Sequence, residues 1–209
     1  MLPYEHFLIV ISSPSGAGKS TLAKMLLEKY NNIKLSTSAT TRKPRNGEID
    51  GFHYYFLTQE DFDKRVINNE FLEHAGVYGK SYGTLKSQVD DKFAAGNDVL
   101  LDIDWQGNQL VSKQVKDRRK ILQIFILPPS LKELRDRLTS RGTETKESIE
   151  RRMSDAKNTI SHYKEYEYVI INDDLNKAFN ELSGIIEAKR FSNVDKTDLN
   201  KFVDNLMKE

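Results

Sequence analysis

Two glycines, a lysine and a serine near the N-terminus have the types and the spacing needed to bind phosphate. Their segment follows the apolar run 7–11, precedes apolar residues that repeat at helical spacing, and reads Ser13-Pro14-Ser15-Gly16-Ala17-Gly18-Lys19-Ser20. Where a strand, a glycine-bearing loop and a helix follow each other in this way, backbone N–H groups and the helix dipole converge on an anion. Lys19 would reach the β- and γ-phosphates, and the Ser20 hydroxyl would bind Mg²⁺. The segment, the phosphate-binding loop below, therefore predicts a nucleoside-triphosphate site.

One position departs from the usual form of this loop, which begins with glycine. Here the first position is Ser13, five residues before Gly18. Glycine tolerates a positive φ at little cost, whereas serine does not, so Ser13 must avoid that conformation or carry strain. The alternative interpretation is an ordinary glycine-rich turn. The strand before the loop and the helix after it favour phosphate binding.

Composition excludes several classes of protein. Of the 209 residues, 38% are hydrophobic and 30% charged, which is typical of a folded globular domain and not of a disordered chain. The formal net charge of +1 gives no overall field that would attract a nucleic acid or a membrane. There is no cysteine, which suits the cytoplasm, and no apolar run approaches about 18 residues, the length that crosses a bilayer. We therefore expect a cytoplasmic protein with neither nucleic acid nor membrane as partner.

Segments of strand and helix type alternate along the chain. Strands are predicted near 7–11, 33–37, 98–103, 121–127 and 168–171, and helices near 19–30, 85–95, 106–115, 130–140, 145–162 and 174–189. This alternation predicts an α/β fold with a mostly parallel sheet flanked by helices. Two polar segments, 38–84 and 135–159, interrupt it and are too long to be plain connections. We expect both to lie over the carboxyl edge of the sheet, where open α/β sheets bind ligands.

The first polar segment contains two arginines and several groups suited to a nucleobase. Arg42 and Arg45 lie three residues apart with a proline between them, which makes a fork for a dianionic phosphate. Glu73 could accept two N–H donors at once, which the guanine edge offers and the adenine edge does not. The phenol and hydroxyl groups of the segment include those of Tyr54, Tyr82 and Thr84. The alternatives are a solvated basic loop for the arginines and an ordinary surface carboxylate for Glu73.

Two aspartates end the strand predicted near 98–103. Asp102 and Asp104 are separated by one apolar residue, so along an extended strand they share a face. At the carboxyl edge of a sheet the pair could serve a substrate or, through its waters, Mg²⁺, a role that we assign to Asp102. The alternative is that one of the two caps the helix beginning near Gln106.

The second polar segment is rich in arginine, and helical geometry separates these arginines. Arg152 lies about 70° from the centre of the apolar stripe of its helix, and Arg151 lies nearly opposite that stripe. We therefore expect Arg152 to reach a cleft and Arg151 to point to solvent. Arg137 and Arg141 lie one turn apart and share a face of the preceding helix. Such arginines could close over a triphosphate and neutralise charge in a transition state.

Several motifs follow one another in an order that is found in one enzyme family. They read SPSGAGKST, SATTRKPRNGEIDGFHYYF, NNEFLEHA, YGT, VLLDID, RLTSRGTETKESIERR and VIINDD. With them, over about residues 7–190, the chain resembles the guanylate kinases, enzymes that phosphorylate GMP with ATP. The resemblance implies a P-loop NTPase fold with an inserted region that binds the nucleoside monophosphate and with a lid. It also implies ATP as co-substrate together with Mg²⁺.

The resemblance assigns roles to individual positions. It implies ATP binding by residues 13–20, with Asn172 near adenine. It implies GMP binding by Ser38, Arg42, Arg45, Tyr54, Glu73, Tyr82, Thr84 and Asp104. Within that set, Glu73, Ser38 and Asp104 would read guanine, and the arginine, tyrosine and hydroxyl groups would share the phosphate. The catalytic residues would be Lys19, Arg137, Arg141 and Arg152.

The predicted organisation has four parts. These are a core (1–37, 85–134 and 160–190), a GMP-binding region (38–84), a lid (135–159) and a C-terminal helical extension (191–209). The extension has an amphipathic helix pattern, which predicts packing onto the core or onto a partner subunit. The oligomeric state stays open. So do two other functions: a kinase of the same fold for another phosphorylated acceptor, such as ribose 1,5-bisphosphate, and a non-catalytic peptide-binding module.

Overall fold

The computed structural model describes residues 3–77, 79–140 and 145–208, which form two sheets and the helices around them. The strands are β1 (Leu8–Ser12), β2 (Ile33–Leu35), β3 (Ala39–Thr40), β4 (Tyr55–Phe56), β5 (Phe71–Val77), β6 (Lys80–Leu85), β7 (Asp98–Asp102), β8 (Ile121–Leu127) and β9 (Tyr168–Ile171). The helices are α1 (Lys19–Lys29), α2 (Gln59–Ile67), α3 (Lys86–Ala94), α4 (Trp105–Gln114), α5 (Leu131–Ser140), α6 (Lys146–Ser161), α7 (Leu175–Ser192) and α8 (Lys196–Leu206). None of the helices in these ranges combines the length and the apolar character needed to cross a bilayer.

Five strands form a parallel sheet in the order β2-β7-β1-β8-β9. Its central strand β1 is buried throughout because helices cover both faces of the sheet. On one face α1 and α7 pack against Ile9 and Ile11; on the other, α3 and α4 pack against Leu8 and Val10. The predicted α/β fold with a mostly parallel sheet is confirmed. Each predicted strand and helix of this core is present, with ends within three residues of the prediction.

The register between β1 and β7 brings their carboxyl ends side by side. Ile11 of β1 lies opposite Asp102 of β7, and both strands run in the same direction. Immediately after this pair, β1 continues into the phosphate-binding loop and β7 into Ile103 and Asp104. The sequence separates these two segments by some eighty residues, yet the sheet makes them neighbours. They form the floor of the site described below.

A second sheet of four strands, in the order β4-β3-β6-β5, lies within the segment 38–84. The sequence pattern did not reveal it. Strands β3 and β4 are two residues long, and the β5–β6 hairpin contains a register shift between Phe71 and Glu73, so neither gives a clear alternation. Helix α2 packs on this sheet through Phe62, which stacks on Phe71 with ring centroids 4.5 Å apart. The segment is therefore a small folded unit with its own core.

A buried polar cluster closes the opposite end of the core. Arg190, near the end of α7, donates from Nε and Nη2 to Asp98 at 3.0 and 2.8 Å, and both side chains are almost fully buried. Tyr4 donates its hydroxyl to the same carboxylate at 2.9 Å. A buried charge that loses its partner costs several kcal/mol, about 3–5 kcal/mol for a broken pair. The cluster therefore fastens α7 and the N-terminal segment to the start of β7.

The C-terminal extension forms the predicted amphipathic helix, α8, but this helix does not pack back onto the core. None of its described side chains is buried, and Phe202 and Leu206 on its apolar face are 56% and 55% exposed. Its connection to the rest of the chain is made before the helix begins, where Asp195 donates its backbone N–H to the Pro3 carbonyl. The expectation of packing onto the core is wrong, because the chain turns outward after α7. Packing onto a partner subunit stays a prediction.

We expect removal of residues 196–209 to leave the folded core unchanged. Since α8 buries no described side chain, its loss removes little apolar contact, and the melting temperature should change by less than about 3 °C. The measurement is thermal unfolding of the full chain and of a chain ending at Asp195. A matched control is Arg190→Ala, which breaks the buried pair and should lower the melting temperature by about 10 °C or more. A large loss of stability in the truncated chain would contradict the exposed position of α8.

Candidate active site

A cleft of about 1150 Å³ opens over the carboxyl edge of the parallel sheet. Its lining comes from the phosphate-binding loop and the start of α1, from the end of β7 and the start of α4, from the segment 38–84 that contains the small four-stranded sheet, and from α6. A second cavity of about 140 Å³ adjoins it between Asp104 and the small sheet, and Glu73 lies in its wall. Lys19, Ser38, Tyr54, Tyr82, Asp102 and Asp104 line both. The two predicted sites are therefore two parts of one cleft.

The phosphate-binding loop adopts the conformation that its glycines allow. Gly16 and Gly18 have φ values of 96° and 99°, which residues with a Cβ rarely adopt. Ser13 is not among the described residues with a positive φ, and its hydroxyl donates to the Pro14 carbonyl at 3.0 Å. The strain considered for this position is thus absent from the described backbone. Ser13, Ser15 and the start of α1 face the cleft.

Lys19 extends from the start of α1 to the end of β7. Its Nζ donates to the Ile103 carbonyl at 3.0 Å and forms an ion pair with the Asp102 carboxylate. Both side chains are partly exposed to the cleft. The pairing follows from the register that puts the end of β7 beside the loop. The carboxylate of Asp102 thus lies close to the lysine that would bind the phosphates. Its role in holding Mg²⁺ stays a prediction.

Asn172, the residue implied to lie near adenine, is placed beneath the loop. It is 4% exposed and donates from Nδ2 to the Ala17 carbonyl at 2.8 Å. A methyl group at Gly18 would collide with this amide, so the loop and Asn172 fit closely together. The side chain is not part of the cleft lining described above. Its position favours support of the loop, and its contact with adenine stays a prediction.

The predicted lid arginines occupy different positions. Arg152 of α6 crosses to the phosphate-binding loop, where Nη1 donates to Ser15 Oγ at 2.5 Å, as its place beside the apolar stripe predicts. Arg151 is exposed, as the helix geometry predicts, and it also belongs to the lining of the cleft. Arg137 donates to Glu133 Oε1 and to the Asn172 carbonyl at 3.0 and 3.1 Å, next to the loop. Arg141 lies outside the described residues.

Packing between α5 and α6 holds this arginine-bearing helix over the loop. Leu134 and Leu138 of α5 form a small core with Ile149 and Met153 of α6. The same leucines lie against the loop: a Cβ placed on Gly16 would come within 3.0–3.1 Å of them. The helix pair therefore rests on the loop, which explains how Arg152 reaches Ser15.

Glu73 is a buried carboxyl group at the junction of the small sheet and α4. It is 4% exposed, and Thr84 donates its hydroxyl to Glu73 Oε1 at 2.7 Å. Burial raises the pKa of Glu73 to about 7; the Thr84 hydrogen bond lowers it, and the nearby Asp104 charge raises it. A surface carboxylate is excluded. Thr84 is itself fully buried and orients the Glu73 carboxylate, and its implied contact with GMP stays a prediction.

Asp104 caps α4, which confirms the alternative considered for one aspartate of the pair. Its Oδ1 accepts the Gly107 backbone N–H at 2.9 Å, and its Oδ2 accepts Gln106 Nε2 at 3.1 Å. The carboxylate also lines both parts of the cleft. The cap fixes the carboxylate beside Glu73 and leaves it facing the cleft. Ser38 and Tyr82 complete the wall of the smaller cavity.

The predicted arginine fork includes a carboxylate that the sequence analysis did not single out. Arg42 donates from Nη1 and Nη2 to Glu48 Oε2 and Oε1, both at 2.8 Å, and Glu48 Oε2 also accepts the Arg45 backbone N–H at 2.6 Å. The Arg42 bond holds the pKa of Glu48 at about 2. Arg42 lies 5.1 Å from the Tyr54 ring centroid. Of the two arginines only Arg45 is in the cleft lining, so a phosphate would share Arg42 with Glu48. The sequence signal that could have indicated this pair is the opposite charge of Arg42 and Glu48, which lie six residues apart in the same loop.

Gly107 allows Glu73 and α4 to approach each other. A Cβ at this position would lie 2.7 Å from Glu73 Oε2 and 3.2 Å from Ile103 Cβ, both too close. We expect Gly107→Ala to lower the free energy of unfolding by about 1–3 kcal/mol, since the buried carboxyl must shift. The control is Gly184→Ala in α7, where a Cβ would meet nothing within 4 Å; it should be neutral or stabilise by about 0.5–1 kcal/mol. Equal effects in urea unfolding would contradict the close approach.

Comparisons with known proteins agree with one another. The family model described as guanylate kinase matches residues 5–189. The chain is 47% identical over 202 residues to a guanylate kinase of Maricaulis maris (97% of this chain, 92% of that one) and 50% identical over 183 residues to one of Hydrogenovibrio crunogenus (88% of each). The crystal structure of guanylate kinase from Anaplasma phagocytophilum is similar at 37% identity with a TM-score of 0.73, covering 90% of this chain and 88% of that one.

The family model ends before the C-terminal extension, but the relatives do not all do so. The match to the Maricaulis maris protein leaves at most seven residues of this chain outside it, so it reaches into 191–209. The family model and the relatives cover the loop, the small sheet and α6, which together form the cleft. On this evidence the chain belongs to the guanylate kinase family.

Proposed function

We propose that this protein transfers the γ-phosphoryl group of ATP reversibly to GMP, giving ADP and GDP, with Mg²⁺ bound to the phosphates. The observation that carries the proposal is the continuity of the cleft from Lys19 in the phosphate-binding loop to the buried Glu73 carboxyl. A donor site and a base-reading site on one cleft are what a nucleotide kinase needs. Since its substrates are intracellular nucleotides, we expect the enzyme to work in the cytoplasm.

The donor end of the cleft holds ATP. Backbone N–H groups of residues 13–20 surround the β- and γ-phosphates at the positive end of α1, and Lys19 neutralises their charge. Ser20 and Asp102 offer hydroxyl and carboxylate oxygens at the cleft, the donors that Mg²⁺ prefers when phosphates supply further ligands. When bound, the ion supplies positive charge to the phosphates and adds to that of Lys19. Arg152 stands at Ser15, where it can stabilise negative charge that moves onto the transferring group.

Arg137 and Arg141 complete the proposed set of catalytic arginines. The guanidinium of Arg137 lies beside the loop through its bond to the Asn172 carbonyl. Turning this side chain toward the phosphates would exchange the neutral carbonyl acceptor for an anionic one, with which the guanidinium forms a stronger bond. Arg141 keeps the role that the family resemblance implies.

The acceptor end of the cleft holds GMP. Ionised Glu73 accepts the N1–H and N2–H groups of guanine, with Ser38 and Asp104 beside it in the wall of the pocket. Adenine offers no such pair of donors at the corresponding edge, so Glu73 gives the preference for guanine. At the mouth of the pocket Arg45, Arg42, Tyr54 and Tyr82 hold the GMP phosphate.

The reaction requires positioning more than acid–base chemistry. The attacking oxygen of the GMP phosphate is already anionic near neutral pH, so no general base is needed. Catalysis then depends on holding the two phosphates in line and on neutralising charge on the transferring group. Closing α6 and the small sheet over the cleft would exclude water, which would otherwise compete as an acceptor.

The two alternatives from the sequence are not favoured. A kinase for a sugar phosphate would not need a buried carboxyl in a base-sized pocket, and the relatives reported above are guanylate kinases. A peptide-binding module would not need Lys19 and Arg152 converging on one loop. Each alternative leaves residues of the cleft without a use: Glu73 in the sugar-phosphate kinase, and Lys19 and Arg152 in the peptide-binding module.

We expect the KM for GMP to depend on the ionisation of Glu73. Its raised pKa, about 7, means that the carboxyl is increasingly protonated below neutral pH and then loses its capacity to accept both guanine donors. The KM for GMP should be about tenfold higher at about pH 6 than at about pH 8. In Glu73→Gln it should be high throughout, with that part of the pH dependence gone. This variant is also the control, because it keeps the titration of the GMP phosphate itself.

An unchanged pH profile in Glu73→Gln would show that the dependence comes from another group. The KM for ATP, measured in the same series, should change by less than about twofold in this variant, because Glu73 lies away from the phosphate-binding loop.

The proposed reaction is tested by ADP production from Mg-ATP with GMP, AMP, CMP, UMP or ribose 1,5-bisphosphate as acceptor. We expect turnover with GMP far above the others, and GDP as the product. Lys19→Met should lower kcat by about 10³-fold, since it removes the positive charge that would neutralise the transferring phosphate and leaves the guanine pocket intact. Turnover with the sugar phosphate instead of GMP, or with no acceptor, would overturn the proposal.

A further inference from the structure

Two aromatic rings join α4 to the end of α6. Trp105, the first residue of α4, stacks on His162, which directly follows α6, with ring centroids 3.6 Å apart and ring planes within 7° of parallel. At this separation the two ring faces are in van der Waals contact, so tilting either ring would cause a clash on one side and lose contact on the other. The contact involves neither the arginines nor the acidic residues assigned to substrates. It therefore needs a separate explanation.

Polar contacts next to the stack hold the same two elements together. Glu165, in the short 3-10 turn His162–Glu165, accepts from Gln109 Nε2 at 3.1 and 3.0 Å, and its Oε1 lies 2.6 Å from His162 Nδ1. Gln109 lies one turn after Trp105 on α4, so both face the same turn of chain. The end of α6 is thus fixed to α4 at two successive positions.

The two helices joined in this way carry groups from the two ends of the cleft. Helix α4 begins directly after Asp104, in the wall of the guanine pocket. Helix α6 carries Arg152, which bonds to Ser15 in the donor loop. Helix α6 is continuous over its described length. It therefore connects Arg152, at the phosphate-binding loop, with the start of α4, beside the guanine pocket.

The length of α6 makes its orientation important. Arg152 precedes His162 by ten residues, which is about 15 Å of helix. A rotation of α6 by about 10° around the stack would displace Arg152 by about 2.5 Å. That displacement is as long as the Arg152–Ser15 hydrogen bond itself, 2.5 Å. A misplacement of a catalytic group by about 1 Å can cost about 100-fold in rate.

We propose that the Trp105–His162 stack is a positioning contact for phosphoryl transfer. It fixes the end of α6, and through this helix it holds Arg152 over the phosphate-binding loop while tying it to the guanine-binding end of the cleft. His162 and Trp105 act through Arg152 and do not touch the reacting atoms. The inference rests on the proposed roles of Arg152 and Asp104.

The test compares His162→Ala with His162→Phe in steady-state kinetics with GMP and Mg-ATP. Loss of the ring should lower kcat by about tenfold and leave both KM values within about twofold, because the groups that bind the substrates remain in place. Phe can still stack on Trp105, so His162→Phe should recover kcat to within about threefold of the unmodified enzyme. The matched control is Tyr163→Ala, which removes an exposed ring from the same turn and should have no effect.

A double-mutant cycle separates positioning from a general loss of stability. If His162 acts through Arg152, then in the Arg152→Ala background the substitution His162→Ala should cost less than about twofold in kcat. A full tenfold loss in that background would overturn the proposal, as would a kcat of His162→Ala equal to that of the unmodified enzyme. If His162→Ala does not fold, His162→Gln, which can still bond Glu165, replaces it in the same cycle. An inactive unmodified enzyme would instead contradict the proposed function.

Fluorescence shows directly whether a variant has broken the contact. Trp105 is the single tryptophan of the chain, so emission excited at the long-wavelength edge of tryptophan absorption, where tyrosine does not absorb, reports on this ring alone. The emission of His162→Ala should increase and move to longer wavelength, because a quenching imidazole is replaced by water. If His162→Ala loses activity without any change in emission, loss of the stack is not the cause, and the proposal is overturned.

Discussion

The parallel pairing of β1 with β7 is the contact on which the rest of the site depends. It sets the phosphate-binding loop beside Asp102, Ile103 and Asp104, so one lysine can contact both a carboxylate and a carbonyl of the neighbouring strand. Because side chains alternate along a strand, a shift of this register by one residue would turn Asp102 to the other face of the sheet. The floor of the cleft is thus determined by the apolar residues that fix the register.

Around that floor, two of the cations that we assign to the substrate phosphates are already paired with a carboxylate of the protein. Lys19 pairs with Asp102, and Arg42 with Glu48. Charges that are partly buried are costly unless they are paired, so these carboxylates let the cationic site fold without that penalty. A substrate phosphate would therefore meet cations that already have carboxylate partners, and not unpaired cations. Glu73 differs, since its partner is the Thr84 hydroxyl and not a cation, and its burial raises its pKa.

The sequence predicted the parts of this structure that have a strong periodic or local signal. The core strands, the phosphate-binding loop and the approach of Arg152 to the cleft follow from apolar spacing and glycine position. The small sheet did not, because β3 and β4 are too short to alternate and β5 contains a register shift. Thr84 and Asn172, which the resemblance places at the substrates, also bond to Glu73 and to the loop, and no local pattern indicates these tertiary contacts. The Trp105–His162 stack joins residues far apart in sequence, and no local pattern indicates it.

In the proposed reaction, donor and acceptor bind to separate groups of residues at two ends of one cleft. The most direct measurement is calorimetric titration of GMP and of Mg-ATP into the unmodified enzyme and into Glu73→Gln at about pH 8, where Glu73 is ionised. We expect the Kd for GMP to rise at least about tenfold in the variant, while the Kd for Mg-ATP stays within about twofold. An equal loss of affinity for both nucleotides, or no loss for GMP, would contradict it.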